Sequence, residues 1–211
     1  MDGTKTARCV IIGGAGISDY GFIRGCFRED DYFIFCDSGL KHLDGLGVQP
    51  DLIIGDFDSH VNPHLQTETI VLPHVKDDTD TVFAAKEAVR RGFDDFLLIG
   101  VIGARLDHTL GNVYILVYLN QLGKRAQIID DYSEMELVSA EPVPVSDQYP
   151  YFSLVNITGQ AEDITIRNAL YPLENAAITC EYQYGVSNEV LPGRTAWVSV
   201  GKGSLLLIKD R

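Results

Sequence analysis

In the first 130 residues, short apolar runs alternate with stretches of helical period, and this alternation restricts the fold more than any other feature. The runs fall at residues 7–12, 32–36, 52–54, 69–72, 96–101 and 126–129. Most are apolar throughout instead of alternating, the pattern of strands buried on both faces of a sheet. Between them, Val82, Phe83, Ala85 and Val89 recur on one face of a helix, with Lys86, Glu87, Arg90 and Arg91 placed mostly outward. Acids at its start and arginines at its end suit the helix dipole. A short helix is predicted at residues 40–46, stopped by Gly45 or Gly47. Another, at about residues 109–122, is apolar nearly all round and is expected to be buried, with Gly123 ending it. Strands and helices alternating in this way predict an α/β N-terminal domain with a mostly parallel open sheet and helices on both faces.

After Asp130 the texture changes. Short β-prone runs at residues 135–138, 151–157, 163–167, 176–180, 195–200 and 204–208 are separated by turn residues, and no helical period survives. Gly201-Lys202-Gly203 between the last two reads as a hairpin turn. The expectation is an all-β, sandwich-like C-terminal domain, with domains at 1–130 and 131–211.

Of the 211 residues, 30 are acidic and 17 basic, a formal net charge of −13, which argues against a nucleic-acid-binding role because such binding draws its affinity from Lys and Arg on phosphates. No apolar run approaches the roughly 20 residues that span a bilayer, so no membrane partner is expected. The start lacks the layout of a secretory signal. Cys9, Cys26, Cys36 and Cys180 have no metal-type spacing and read as free thiols in a reducing compartment, from which a cytoplasmic location follows.

The chemistry gathers where the strand runs end. In D-L-I-I-G-D-F-D-S at residues 51–59, an apolar run stops at Gly55, and Asp56 and Asp58 follow one residue apart. Two carboxylates that close repel, and a divalent cation removes the objection because hard cations take oxygen ligands. Asp37, Asp56, Asp58, Asp80 and Asp107 all lie just past a strand or at the start of the next helix. In an open α/β sheet that edge is where ligands bind. With Arg105 and Lys76 nearby, the set looks like a magnesium site for polyphosphate. Gly13-Gly14-Ala15-Gly16 after the first run reads equally as a phosphate-approaching turn or as a tight strand exit, since it has neither the dinucleotide spacing nor a P-loop lysine.

Taken in order, the motifs C-D-S-G at 36–39, P-D-L-I-I-G-D-F-D-S at 50–59, K-D-D-T-D at 76–80, G-A-R-L-D-H at 103–108, Y-P-L at 171–173 and G-V-S-N-E at 185–189 closely resemble the thiamine pyrophosphokinase (thiamin diphosphokinase) family. The family moves pyrophosphate from ATP to thiamine and releases AMP. Ala104 departs from it, standing where the family usually has glycine. The resemblance implies Mg2+ as cofactor, ATP and thiamine as substrates, and a homodimer with active sites between subunits. It places Asp56, Asp58 and Asp80 at the metal. Asp37, Lys76, Asp77, Thr79, Arg105, Asp107 and His108 fall around the nucleotide and the transferred group, with Arg105 and Asp107 joining the three metal carboxylates as the catalytic set. Tyr171, Ser187 and Asn188 match the part that holds thiamine. Read from the residues alone, Tyr171 is a core tyrosine and Ser187-Asn188 a turn.

Two other classes fit parts of the pattern. A haloacid-dehalogenase-like magnesium-dependent phosphatase also places D-x-D after a buried strand, with Asp56 as nucleophile and Asp58 as acid/base, but fits the R-L-D-H motif and the all-β second half poorly. A non-catalytic thiamine or nucleotide sensor would keep the pocket without needing so many converging charges.

Overall fold

The computed structural model describes residues 7–57, 66–73 and 77–211. Asp58 and Lys76 lie outside the described residues. The chain divides into two compact units, Met1–Asp131 and Tyr132–Arg211.

In the first unit the chain runs β1 (Cys9–Ile12), α1 (Tyr20–Gly25), β2 (Tyr32–Cys36), a 3₁₀ helix (Asp37–His42), α2 (Leu43–Leu46), β3 (Leu52–Gly55), β4 (Glu68–Val71), α3 (Asp80–Arg90), β5 (Asp95–Ile99), α4 (Leu106–Gln121) and β6 (Arg125–Ile129). The strands lie in the order β4-β3-β2-β1-β5-β6, all parallel. Every residue of β1 and β3 is buried, which is why these strands read as unbroken apolar runs. Each fully buried Ile or Leu there contributes about 1.5–3 kcal/mol of burial free energy. The strand order reverses between β1 and β5, and such a switch point leaves a crevice at the carboxyl ends of the strands.

The helix expected at residues 40–46 is a 3₁₀ helix followed by the short α2, and α3 and α4 also differ from expectation. Helix α4 is not buried all round: Leu106, Leu110 and Tyr114 are exposed, while Val113, Ile115, Leu116 and Leu119 are inward. Its apolar outer face masks the usual amphipathic contrast. In α3 the inward face is Thr81, Ala84, Ala85 and Ala88, and Glu87 is buried among them instead of facing out. Glu87 is held by Arg90 at 2.7 Å and Arg91 at 2.8 Å. The Arg90 guanidinium first, with Arg91, holds its carboxyl down at about 2.

The second unit is all β: β7 (Ser133–Val138), β8 (Val143–Ser146), β9 (Phe152–Val155), β10 (Gln160–Arg167), β11 (Leu173–Thr179), β12 (Thr195–Ser199) and β13 (Leu205–Asp210). Antiparallel β7-β13-β9 and antiparallel β11-β10-β12-β8 close on one core. Val138, Phe152, Leu154, Leu205 and Leu207 come from the first sheet, and Val145, Ile164, Ile166, Ile178 and Val198 from the second, so the unit is a sandwich. The expected hairpin at residues 201–203 is instead a crossing, because β12 and β13 belong to different sheets. Gly203 makes the crossing, at φ +78, where an added Cβ would stand 2.3 Å from the Gln160 carbonyl oxygen.

One charge sits at the edge of this core. Lys209 is 6% exposed, with Nζ 2.9 Å from Glu136 and 3.3 Å from Glu134, over the Tyr149 ring. Burial pulls its pKa down, but Glu136 and Glu134 more than offset this and hold it above the ordinary lysine value. Lys209→Met leaves two neighbouring carboxylates uncompensated and is expected to lower unfolding free energy by about 3 kcal/mol near neutral pH. Because the folded pKa is raised, the stabilisation is complete below the unfolded lysine value of about 10.4 and fades as pH rises through the folded one. Thermal unfolding of both proteins should therefore show their Tm gap closing only above that range.

Candidate active site

At the switch point the structure opens a cleft of 390 Å³. Gly14, Ala15 and Gly16 follow β1, Ser38 follows β2, Gly100 and Val101 follow β5, Thr79–Thr81 begin α3, and Arg105, His108, Thr109 and Asn112 belong to the start of α4. Close approach is what the glycines are for. A Cβ on Gly14 would stand 2.0 Å from the Ser38 Oγ, and one on Gly39 would stand 2.3 Å from the Ile12 carbonyl oxygen. Gly39 therefore packs its backbone against that of the end of β1 and its turn, and Gly14 leaves room for the Ser38 side chain.

The same economy gathers the carboxylates. Gly55 ends β3 where a Cβ would lie 2.5 Å from the Asp37 Cβ, so the following Asp56 is brought beside Asp37. Asp80 enters from the start of α3. Asp37, Asp56 and Asp80 offer carboxylate oxygens all within 4.8 Å of one another, and Asp37 is 1% exposed. Three negative charges at that spacing repel unless a cation is shared, and an all-oxygen donor set suits a hard divalent ion. The donor chemistry fits magnesium. Asp37, assigned from sequence to the nucleotide, thus stands in the metal-type cluster with Asp56 and Asp80.

Other candidates are placed differently. Thr79 caps α3, its Oγ1 accepting from the Val82 N–H at 3.3 Å. Asp78 pairs with Lys86 at 2.7 Å, and Asp77 is exposed and outside the cleft lining. Arg105 and His108 line the cleft. Asp107 binds Arg105 with both oxygens, at 3.0 and 2.6 Å, and the Arg105 guanidinium holds its carboxyl well below the usual carboxylate range. Asn112 was missed from sequence. It is buried in α4, lines the cleft and donates to the Val101 carbonyl at 2.8 Å. An amide set among the apolar residues of the middle of α4, between Leu110 and Val113, was the available signal.

In the β unit, Tyr171 is 61% exposed and is not a core tyrosine. Ser187 is exposed, in left-handed backbone at φ 57, its N–H bonded to the Ser153 Oγ at 3.1 Å. Asn188 is 4% exposed. Its Oδ1 accepts from the Tyr171 N–H at 3.0 Å and its Nδ2 donates to the Tyr171 carbonyl at 2.8 Å. The carboxamide is thus engaged in fixing the Tyr171 backbone.

A parallel sheet with a glycine-walled, carboxylate-bearing cleft at its switch point is the architecture of a phosphate- or nucleotide-using enzyme. Residues 23–128 match the model of the thiamin pyrophosphokinase catalytic domain, and residues 142–205 that of the thiamin pyrophosphokinase vitamin B1 binding domain. The thiamine pyrophosphokinase of Bacillus subtilis (strain 168) is 27% identical over 196 residues, covering 89% of this chain and 91% of its own. The crystal structure of the Bacillus subtilis enzyme superposes with a TM-score of 0.85 at 24% identity, over 97% of this chain and 99% of that one. That from Geobacillus thermodenitrificans gives 0.82 at 25%, over 97% of each. Yeast thiamin pyrophosphokinase shares the fold at 13% identity, with a TM-score of 0.76 over 99% of this chain and 87% of that one. The chain belongs to the thiamin pyrophosphokinase family, enzymes that transfer pyrophosphate from ATP to thiamine.

Proposed function

We propose that the switch-point cleft is where this thiamine diphosphokinase binds ATP, and that Asp37, Asp56 and Asp80, with Asp58 on sequence grounds, hold Mg2+. The observation that carries this is the convergence of three carboxylates from three separate segments at the edge of a glycine-walled cleft. Bound there, the cation supplies charge neutralisation for the phosphate oxygens. The chain's own residues do the rest. The turn at residues 14–16 and the start of α3, capped by Thr79, present backbone to the phosphates. Arg105 brings a positive charge to the cleft wall, held in place by Asp107; Lys76 adds another on sequence grounds. The hydroxyl of thiamine attacks the β-phosphorus in line with the departing AMP, and a strand-end carboxylate takes the hydroxyl proton. Positioning and charge balance provide most of the acceleration.

Tyr171 offers an exposed aromatic face on which the pyrimidine of thiamine can stack, and Ser187 offers a hydroxyl for its ring nitrogens. Asn188 supports both by fixing the Tyr171 backbone. We further propose a homodimer with the sites between subunits, working in the cytoplasm. Among the described residues no helix is long and apolar enough to cross a membrane.

Product analysis tests the reading. With ATP, thiamine and Mg2+, AMP and thiamine diphosphate should appear in equal amounts. ADP with thiamine monophosphate would place the attack on the γ-phosphorus, inorganic phosphate alone would indicate a phosphatase, and no turnover would leave a sensor.

A further inference from the structure

The turn after β1 is tied down on both of its polar sides. Two of its N–H groups face the end of β5: Gly13 donates to Ile99 at 2.8 Å and Ala15 to Gly100 at 2.7 Å. Its carbonyls face the 3₁₀ helix. The Ala15 oxygen is 2.8 Å from the His42 Nε2, and the Gly14 oxygen accepts from the Lys41 ammonium. His42 is 2% exposed, and its Nδ1 is 2.8 Å from the Tyr20 hydroxyl. The Tyr20 ring lies against Gly45, where a Cβ would stand 2.4 Å from its Cε1, so its aim is set by packing.

The chemistry of the chain Tyr20–His42–Ala15 has one consistent arrangement. A carbonyl oxygen can only accept, so the proton of a neutral imidazole must sit on Nε2, and Nδ1 then accepts from the tyrosine hydroxyl. The hydroxyl thus satisfies the Nδ1 lone pair that this tautomer leaves in a buried place, and it helps hold the ring so that Nε2–H stays aimed at the Ala15 oxygen.

From this geometry we infer that Tyr20, His42 and Lys41 form a clamp that turns the Gly14 and Ala15 carbonyls away from the cleft, so that the turn does not present negative dipoles to the ATP phosphates. The inference rests on the reading of the cleft as the ATP site and deepens it. Two consecutive carbonyls are drawn toward one short helix by a cation and an imidazole N–H. Free to rotate, those oxygens would oppose the polyphosphate. The same helix begins with Asp37, so the clamp also ties the phosphate turn to the metal carboxylates. These are positioning residues, acting through the backbone they hold.

The test is calorimetric binding of a non-hydrolysable ATP analogue with Mg2+ to the intact protein, alongside KM for thiamine. The amide nitrogen of glutamine reaches the position of Nε2, whereas that of asparagine reaches only that of Nδ1. His42→Asn should weaken nucleotide binding roughly tenfold, the loss of about one hydrogen bond. His42→Gln should restore it to near the wild-type value, with KM for thiamine unchanged in both. Tyr20→Phe and Lys41→Met should each weaken binding several-fold. Equal weakening by Asn and Gln at position 42 would overturn the clamp, because a packing role does not distinguish them. If neither His42 variant folds, wild-type affinity in both Tyr20→Phe and Lys41→Met overturns it equally. A wild-type protein that binds no analogue would overturn the ATP reading itself, and the clamp with it.

Discussion

Asp80→Asn should cut turnover by about 10²–10³-fold, the scale on which a single charge-stabilising group acts in a transition state, while leaving the metal-free protein as stable as the wild type or firmer. Both halves follow from the same crowding. With oxygens of Asp37, Asp56 and Asp80 within 4.8 Å of one another, removing one charge relieves repulsion when no cation is present. It also removes a ligand when one is. The substitution is local, because Thr79 remains as the cap of α3 and asparagine keeps the shape of aspartate. Asp56→Asn should behave alike, as should Asp58→Asn on sequence grounds. Steady-state rates at saturating and limiting Mg2+, together with unfolding in chelator, measure both effects. Near-normal turnover at limiting Mg2+ would remove the residue from the metal site.

Gly39→Ala should damage stability and activity together. The added methyl would lie 2.3 Å from the Ile12 carbonyl oxygen, 3.0 Å from its carbon and 3.1 Å from the Gly13 oxygen. All three are backbone atoms of β1 and its turn and cannot rotate aside as a side chain would. The 3₁₀ helix must move out, taking Asp37 and His42 with it. Overpacking of this kind costs about 1–3 kcal/mol, and misplacement of the carboxylate should lower kcat more than tenfold. Gly25→Ala is the control, since nothing lies within 4 Å of a Cβ there, and a helical glycine exchanged for alanine should be neutral or slightly stabilising. Chemical denaturation of both variants reads the difference.

How far the sequence was legible follows from which interactions are local. Buried parallel strands announce themselves as apolar runs, so β1, β2, β3, β5 and β6 were each anticipated near their observed positions. Helix α1 was not, because a six-residue helix containing Gly21 has no period to detect; its start rests on Asp19 accepting from the Phe22 N–H at 2.9 Å and on Asp131, which accepts from the Ser18 and Asp19 N–H groups at 2.7 and 2.9 Å. Strand β8 was missed because Pro144 breaks the usual strand signature. The turn at residues 201–203 was recognised, but turn chemistry is local and cannot say which sheet receives the next strand. Glu87 was placed outward because amphipathic reasoning counts charges as exposed and does not see that Arg90, from the surface, and the half-buried Arg91 reach its carboxylate and offset its charge. In the cleft, the residue types at the strand ends were legible and the distances were not. Asp37 joins Asp56 and Asp80 through packing between β2 and β3 that Gly55 permits, and the sequence shows the glycine without its neighbour. His42 carried no motif at all.

We propose that the carboxylates at the strand ends form one divalent-cation site serving the cleft. Titration of metal-free protein with Mn2+, followed by the electron paramagnetic resonance of the free ion, tests it directly. One class of bound ion is expected in the wild type, tightened by ATP and lost or weakened at least tenfold in Asp80→Asn and Asp56→Asn, with Gly25→Ala unchanged. Unaltered Mn2+ binding in both aspartate variants would contradict it.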